Sequence, residues 1–294
     1  MVKHSKRISS RVKKRGTKKH YCSPIVEGST PMPYTCYTTE LLLELKNKWN
    51  SRHNDVKIET NNPKEIWDFL NKNLKNVCDE EKCWLKQGFV DEQTQNKIKS
   101  LAFPPETPLE WRKDPNTWLT SVDITEVMSQ YEKKYKCFKF IGPSPIDFDK
   151  KLNNEKCVWE ELCDFSLKKY LYNKINKIGI IFNLDRHNEP GSHWVSLFIN
   201  LKKGIIFYFD STGDTAPPEV KVLAERIIKQ GADNDINLEF HQNKKRHQKE
   251  NTECGMYSLF FIISMLKDAR SVEFFKRSEI PDKKMEQFRK IYFS

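Results

Sequence analysis

The chain has no apolar run long enough to cross a bilayer. The longest nearly apolar stretch runs from Tyr257 to Leu266, far short of the roughly 20 residues a spanning helix needs. No apolar stretch follows the basic N-terminus, so no secretory signal is expected there. A soluble, intracellular protein is the expectation. There is no internal repeat. Eight cysteines are present but scattered, at 22, 36, 78, 83, 137, 157, 163 and 254. In an intracellular chain of this size such thiols are expected reduced and buried as small hydrophobes, not joined in a disulfide framework. Cys78 and Cys83, in "CDEEKC", have no second close pair, and metal fingers show tighter, repeated spacing. No metal site and no cofactor are therefore expected.

Acidic residues are also missing from one place. Residues 1–20 hold nine Lys/Arg and no Asp or Glu, while the whole chain carries +11. Removing those nine charges leaves +2, so the body is nearly neutral and the tail carries the charge. Such a tail reads as disordered and able to touch DNA or another polyanion through Lys3 to Lys19. Solubilising or targeting roles fit it equally. The whole chain is 37% hydrophobic and 31% charged, polar for a globular protein but not disordered.

Residues 1–30 read as basic tail and linker, the latter "CSPIVEGSTPMPYT" continuing to about Thr35. Residues 31–105 read as a helical arm. Thr38 or Thr39 caps a helix with Leu41, Leu42, Leu45 and Trp49 on one face. Asn62 caps a second, with Pro63 in its first turn and Ile66, Trp67, Leu70 and Leu74 as its stripe. "AFPPETP" (102–108) marks a boundary, and 106–294 reads as the main domain. A helix is expected over 121–135, ended by "GPSPIDF", and another over 159–173. Strands are expected at 178–184, 194–200, 205–209 and 236–241, the second and third joined by a tight turn. Between the last two, "DTAPPEVKVLAERIIKQG" is a helix capped by Asp214 or Thr215 and stopped by Gly231. "CGMYSLFFIISMLKD" is apolar nearly all round and therefore central. The fold class is α+β: a mixed or antiparallel sheet on a buried helix whose first residue is Cys254.

A cysteine at a helix start is either a small core residue or a nucleophile favoured by the helix dipole and its free N–H groups. A nucleophile needs a histidine, a group that orients it, and donors for the oxyanion. His193, in "GSHWVSLFI", stands where a loop enters a strand. His187, His241 and His247 are rivals, but none opens an apolar strand. Asp210 ends the neighbouring strand and is the orienting acid, although "DSTGD" also fits a plain turn. Gln248, six residues before Cys254, is the oxyanion donor alongside the Cys254 N–H. Gly255 lets the backbone come close at the turn.

These residues, read together in "GSHWVSLFINLKKGIIFYFDSTG" and "HQKENTECGMYSLFF", resemble the cysteine proteases that include the SUMO-specific proteases and the adenovirus maturation protease. Within that family they look most like the polyprotein-processing proteases of African swine fever virus and other large DNA viruses. The resemblance covers residues 178–294 well and 115–177 less well. It implies a papain-related core with a helical N-terminal region. It implies that Cys254 is the nucleophile, His193 the base, Asp210 its partner and Gln248 the oxyanion donor. The African swine fever member looks to carry Asn where Asp210 stands. Trp194 resembles the tryptophan that lines the family's narrow tunnel, and Trp118, in "TWLTSVDI", would face it; core packing is the usual fate of either. The family cuts after Gly-Gly. The implied activity is cleavage of viral structural polyproteins at Gly-Gly-X sites in virion maturation, in host cytoplasm and in the virion. The alternative on the same residues is deconjugation of SUMO or ubiquitin-like proteins. A nucleic-acid-binding virion structural protein is the non-enzymatic alternative, but the aromatics do not cluster among the basic residues.

Overall fold

A computed structural model describes residues 21–26, 32–153 and 155–294. The basic stretch 1–20 lies outside the described residues, so the tail's expected disorder and DNA contact have no structural counterpart here.

Helix α1 (Thr39–Arg52) is capped by the Thr38 hydroxyl, which accepts from Leu41 N–H. Helix α2 (Pro63–Leu74) is capped by Asn62 with proline in its first turn. Both follow the expected pattern, because polar caps and apolar stripes are local signals. Helix α3 (Glu92–Ala102) completes the group. Leu42, Leu45, Ile66, Leu70, Trp84 and Ile98 are packed out of solvent between them.

The remaining chain builds one five-stranded sheet in simple sequential order, β1 (Phe138–Pro145), β2 (Lys177–Asn183), β3 (Trp194–Asn200), β4 (Ile205–Phe209) and β5 (Glu239–Gln242). The β1–β2 and β4–β5 pairs are parallel; β2–β3 and β3–β4 are antiparallel. Every residue of β3 is buried, as a central strand covered on both faces should be. Helix α4 (Ser121–Lys134) has a capping box made by Thr120 and Asp123. Helices α5 (Glu160–Cys163) and α6 (Leu167–Tyr172) stand where one helix is expected; Ser166 caps the second and splits them. Helix α7 (Pro218–Ala232) packs with α6 on one sheet face. Its cap position is Pro217 and no side chain caps it, so neither Asp214 nor Thr215 has the expected role. Gly231 lies inside the last turn instead of ending it, where an added Cβ would meet Ile236 O at 2.8 Å. Helix α8 (Cys254–Leu266) is buried at every position on the opposite face, against α4 and the pair α9 (Val272–Arg277) and α10 (Asp282–Tyr292).

Two further expectations fail for physical reasons. The segment "GPSP" does not end an element: β1 runs through it, carrying Gly142 at φ 104° and a register shift between Ile141 and Ser144. Glycine and proline there mark a bulge, not a boundary. Six of the eight cysteines are joined in disulfides, Cys22–Cys36, Cys78–Cys83 and Cys157–Cys163. The expectation of reduced thiols rested on compartment alone. The fold brings these pairs to Cα separations of 5.2, 5.5 and 6.3 Å, inside bonding range. Cys137 and Cys254 stay free.

Candidate active site

The middle strands carry the histidine and the acid. The antiparallel register sets Ser196 opposite Phe209. Continued by one residue, it places Val195 opposite Asp210, so His193 and Asp210 are diagonal neighbours across the hairpin. The His193 carbonyl accepts from Leu184 N–H at 2.9 Å, which extends the β2–β3 ladder and holds the ring at the sheet edge. His193 Nε2 lies 2.8 Å from Asp210 Oδ1. The histidine side chain is 18% exposed and the aspartate 1%.

Asp210 is held from several sides. The Thr212 N–H and hydroxyl each donate to Oδ1 at 2.8 Å. Asn243, fully buried, clamps its backbone: Asp210 N–H donates to Asn243 Oδ1 at 3.0 Å, and Asn243 Nδ2 donates to Asp210 O at 2.6 Å. Nothing in "HQNKK" signals that task, because the partner lies 33 residues away.

The same "DST" segment positions the glutamine. Ser211 O accepts from the N–H groups of His247 and Gln248 at 2.8 and 2.9 Å, and Ser211 Oγ donates to Gln248 Oε1 at 2.7 Å. Gln248 Nε2 donates to Glu250 O at 2.6 Å. That carbonyl fixes the amide's orientation and uses one of its two N–H bonds; the second is the candidate oxyanion donor.

Cys254 is the first residue of α8 and is 2% exposed. The first intrahelical bond runs from Tyr257 N–H to Glu253 O, and no side chain caps the first-turn N–H groups. These donors and the dipole therefore favour negative charge at the sulfur and at an oxygen beside it. His193 Nε2 is engaged by Asp210, and the Cys254 side chain is a second hydrogen-bonding partner of the same histidine. Burial alone would lower the imidazole pKa. The hydrogen bonds to Asp210 and Cys254, together with their charges, override it and push it up to about 10. The imidazole thus keeps its proton through the neutral range.

Around this line stand the remaining expected residues. Trp194 is 9% exposed; its Nε1–H donates to Leu119 O at 3.0 Å, and its carbonyl accepts from Ser258 Oγ of α8 at 3.3 Å. Trp118 is 42% exposed, and the hydrogen bond that fixes the Trp194 ring goes to the next residue along, Leu119. Gly255 is buried inside the helix and is not a turn residue: a Cβ there would stand 3.0–3.2 Å from the Leu119 side chain. Its smallness admits Leu119.

The rival histidines are elsewhere. His187 pairs with Asp147 at 2.7 Å, and His241 lies 3.2 Å from Lys276 Nζ. His247 is fully buried on the Phe275 carbonyl, its Nδ1 without a partner; burial lowers its pKa. One pair was invisible to sequence reasoning. Glu253, adjacent to Cys254, is buried against Arg289 of α10, whose Nε donates to both carboxylate oxygens at 3.1 and 2.9 Å. Burial raises the Glu253 pKa while Arg289 opposes the shift. Among the described residues no cluster of three or more His, Cys, Asp or Glu gathers to hold a metal, and no helix is long and apolar enough to cross a membrane.

Comparison with known proteins agrees with this geometry. Residues 114–294 match the Ulp1 protease family, C-terminal catalytic domain. A protein of Acanthamoeba polyphaga mimivirus, named as a thiol protease, is 31% identical over 253 residues, covering 79% of this chain and 80% of that protein. A cysteine protease of African swine fever virus is 30% identical over 247 residues, covering 78% of this chain and 88% of its own; the copy in another isolate is named a SUMO-1 cysteine protease. The crystal structure of an African swine fever virus protease superposes with a TM-score of 0.67 at 23% identity, over 95% of this chain and 97% of that one. That last likeness extends through the helical N-terminal region and speaks for the fold. The chain belongs to the Ulp1 protease family and is a cysteine protease similar to those of large DNA viruses.

Proposed function

We propose that this protein is an endopeptidase that cuts viral structural polyproteins after Gly-Gly during virion maturation. The observation that carries the reading is the Cys254–His193–Asp210 line, with its buried sulfur, the nearly buried Trp194 and the exposed Trp118. In this reading Trp118 lies over a bound substrate against Trp194, and only an extended strand without side chains, that is glycine, passes between two indoles. Residues 106–294 form the catalytic domain in this reading and 31–105 an arm. The basic tail is a site for DNA contact, and the enzyme works in host cytoplasm and in the virion.

The reaction proceeds through a thioester. Cys254 Sγ attacks the carbonyl carbon of the second glycine, and the carbonyl electrons move onto oxygen. The Cys254 N–H and the spare Gln248 N–H bind that oxyanion. His193, protonated and oriented by Asp210, gives its proton to the leaving amine as the C–N bond breaks. Water then loses one proton to His193 and attacks the thioester; the C–S bond breaks, the carboxylic acid product leaves with the other proton, and the sulfur anion beside protonated His193 is restored.

Deconjugation of a ubiquitin-like protein uses the same residues, and the name SUMO-1 cysteine protease on one relative favours it as the second reading. The test compares cleavage of Gly-Gly-X peptides and candidate polyproteins with that of SUMO and ubiquitin fusions, for wild type and Cys254→Ala. Faster turnover of the polyprotein sites supports the proposal; turnover confined to the fusions overturns it.

A further inference from the structure

Arg289 occupies a position that the chemistry above leaves unexplained. Its side chain is 5% exposed and that of Glu253 is 2% exposed. Besides the two Nε bonds to Glu253, its Nη1 donates to Thr117 O at 2.9 Å. The guanidinium lies 4.3 Å from the Trp111 ring centroid, a cation–π seat. Glu253 immediately precedes Cys254, and Thr117 immediately precedes Trp118. One rigid fork therefore grips the two backbone segments that lead to the sulfur and to the exposed indole. Lysine could not do this, because a single ammonium lacks the planar spacing of donors. Glu253 occupies the cap position of α8 yet makes no cap bond; its carboxylate is turned to Arg289. Helix α10 also holds the loop ahead of the nucleophile, since Asp282 Oδ2 accepts from Lys249 N–H and Glu250 N–H at 3.0 and 3.2 Å.

A buried ion pair is seldom the most stabilising way to fill a core, and apolar groups of like volume often serve as well or better. What such a pair supplies is geometry. We propose that Arg289 is a positioning residue coupling the nucleophile helix to the tryptophan wall: its Nε bonds set the start of α8, and its Nη1 bond sets Trp118. This rests on reading Cys254 as nucleophile and Trp118 as substrate wall. The two arms of the fork then predict separable defects. Loss of the Thr117 bond alone loosens substrate binding. Loss of the Glu253 bonds misplaces the sulfur.

The test uses the full chain with Arg289→Lys, Arg289→Met and the double variant Glu253→Gln/Arg289→Met. Three quantities are read: kcat and KM on a Gly-Gly-X peptide, the rate of Cys254 alkylation by iodoacetamide with Cys254→Ala as blank, and thermal unfolding. Arg289→Lys keeps the pair with Glu253 and gives up the fork. It is expected to fold, to raise KM about tenfold and to leave alkylation unchanged. Arg289→Met is expected to lower kcat roughly 10- to 100-fold and to slow alkylation, as a small misplacement of reacting groups does. The double variant removes the unpaired buried charge, so its unfolding temperature recovers while kcat and KM do not. A double variant with wild-type kcat and KM overturns the proposal, leaving a merely structural pair. So does an Arg289→Lys variant that fails to fold or that keeps the wild-type KM. If the wild type leaves the peptide uncut, the substrate reading fails, while the alkylation series still decides whether Arg289 sets the sulfur.

Discussion

The two halves of the site are built differently. On the sheet side, Asp210 is surrounded by bonds from His193, Thr212 and Asn243, and the same strand end anchors Gln248 through Ser211. On the helix side, Cys254 itself has no comparable cage: α8 is held by apolar packing and by the Tyr257 and Ser258 hydroxyls, which donate to Ile280 O and Trp194 O, and the residue before the sulfur is tied to Arg289. Hydrogen bonds fix angles; apolar contacts fix position but tolerate small shifts. The proton-handling half is therefore rigid by direct polar contact, and the nucleophile is rigid only through its neighbours. Damage to the sheet side should alter acid–base behaviour, and damage to the helix side should alter attack and substrate fit.

The largest effect removes one member of the reacting pair. Cys254→Ala and His193→Ala are each expected to abolish cleavage of a Gly-Gly-X peptide, a loss of roughly 10⁴-fold or more in kcat/KM, with folding retained by circular dichroism. Residual turnover near wild type in either would end the comparison, since the two halves would then not form one centre.

Asp210→Asn comes next, with a milder drop in kcat of roughly 10²- to 10³-fold, since an amide can still orient the ring, and a changed pH profile. The wild-type His193 pKa stands at about 10 because Asp210 and Cys254 outweigh burial. With the Asp210 charge gone, burial weighs more, so the alkaline limb of activity should move toward neutral pH. The sign for stability agrees: a histidine raised from 6.5 contributes fully below 6.5 and loses that contribution as pH rises through about 10. Unfolding followed from about pH 6 to about pH 10 should therefore show a decline in wild type that is reduced in Asp210→Asn. An unmoved limb would mean that Asp210 does not set the imidazole.

Gln248→Ala should cost less, about 3 kcal/mol of transition-state stabilisation, seen in kcat and not in KM, because the Cys254 N–H still binds the oxyanion. The smallest effect is expected from Gly255→Ala. A methyl group 3.0–3.2 Å from Leu119 must push that side chain, at a cost of about 1–3 kcal/mol in stability. Because Leu119 carries the Trp194 bond, KM should rise more than kcat falls. A fall in kcat with KM unchanged would place the strain on the sulfur instead.

Much of this was legible in the chain. The strand 194–200, the hairpin to 205–209 and the apolar helix from Cys254 are local patterns, and the structure places them as read. Strand β1 was hidden by its own glycine and prolines, which the sheet absorbs as a bulge. Asn243 looked like one polar loop residue among many. The bond that fixes the Trp194 ring goes to the Leu119 carbonyl, and no motif in the sequence signals it. The three cysteine pairs were missed because spacing alone does not say which thiols the fold brings together.

The sequence alone determined which groups could react and in what order they occur, because a thiol, an imidazole, a carboxylate and an amide have intrinsic chemistry and strand and helix periods are short-range. Only the tertiary structure decided how those groups are held: Asn243 behind Asp210 and Arg289 behind Glu253, 33 and 36 residues apart in the chain. Such partners meet because a sheet and a helix pack face to face, and no local pattern encodes which buried polar group will satisfy which other.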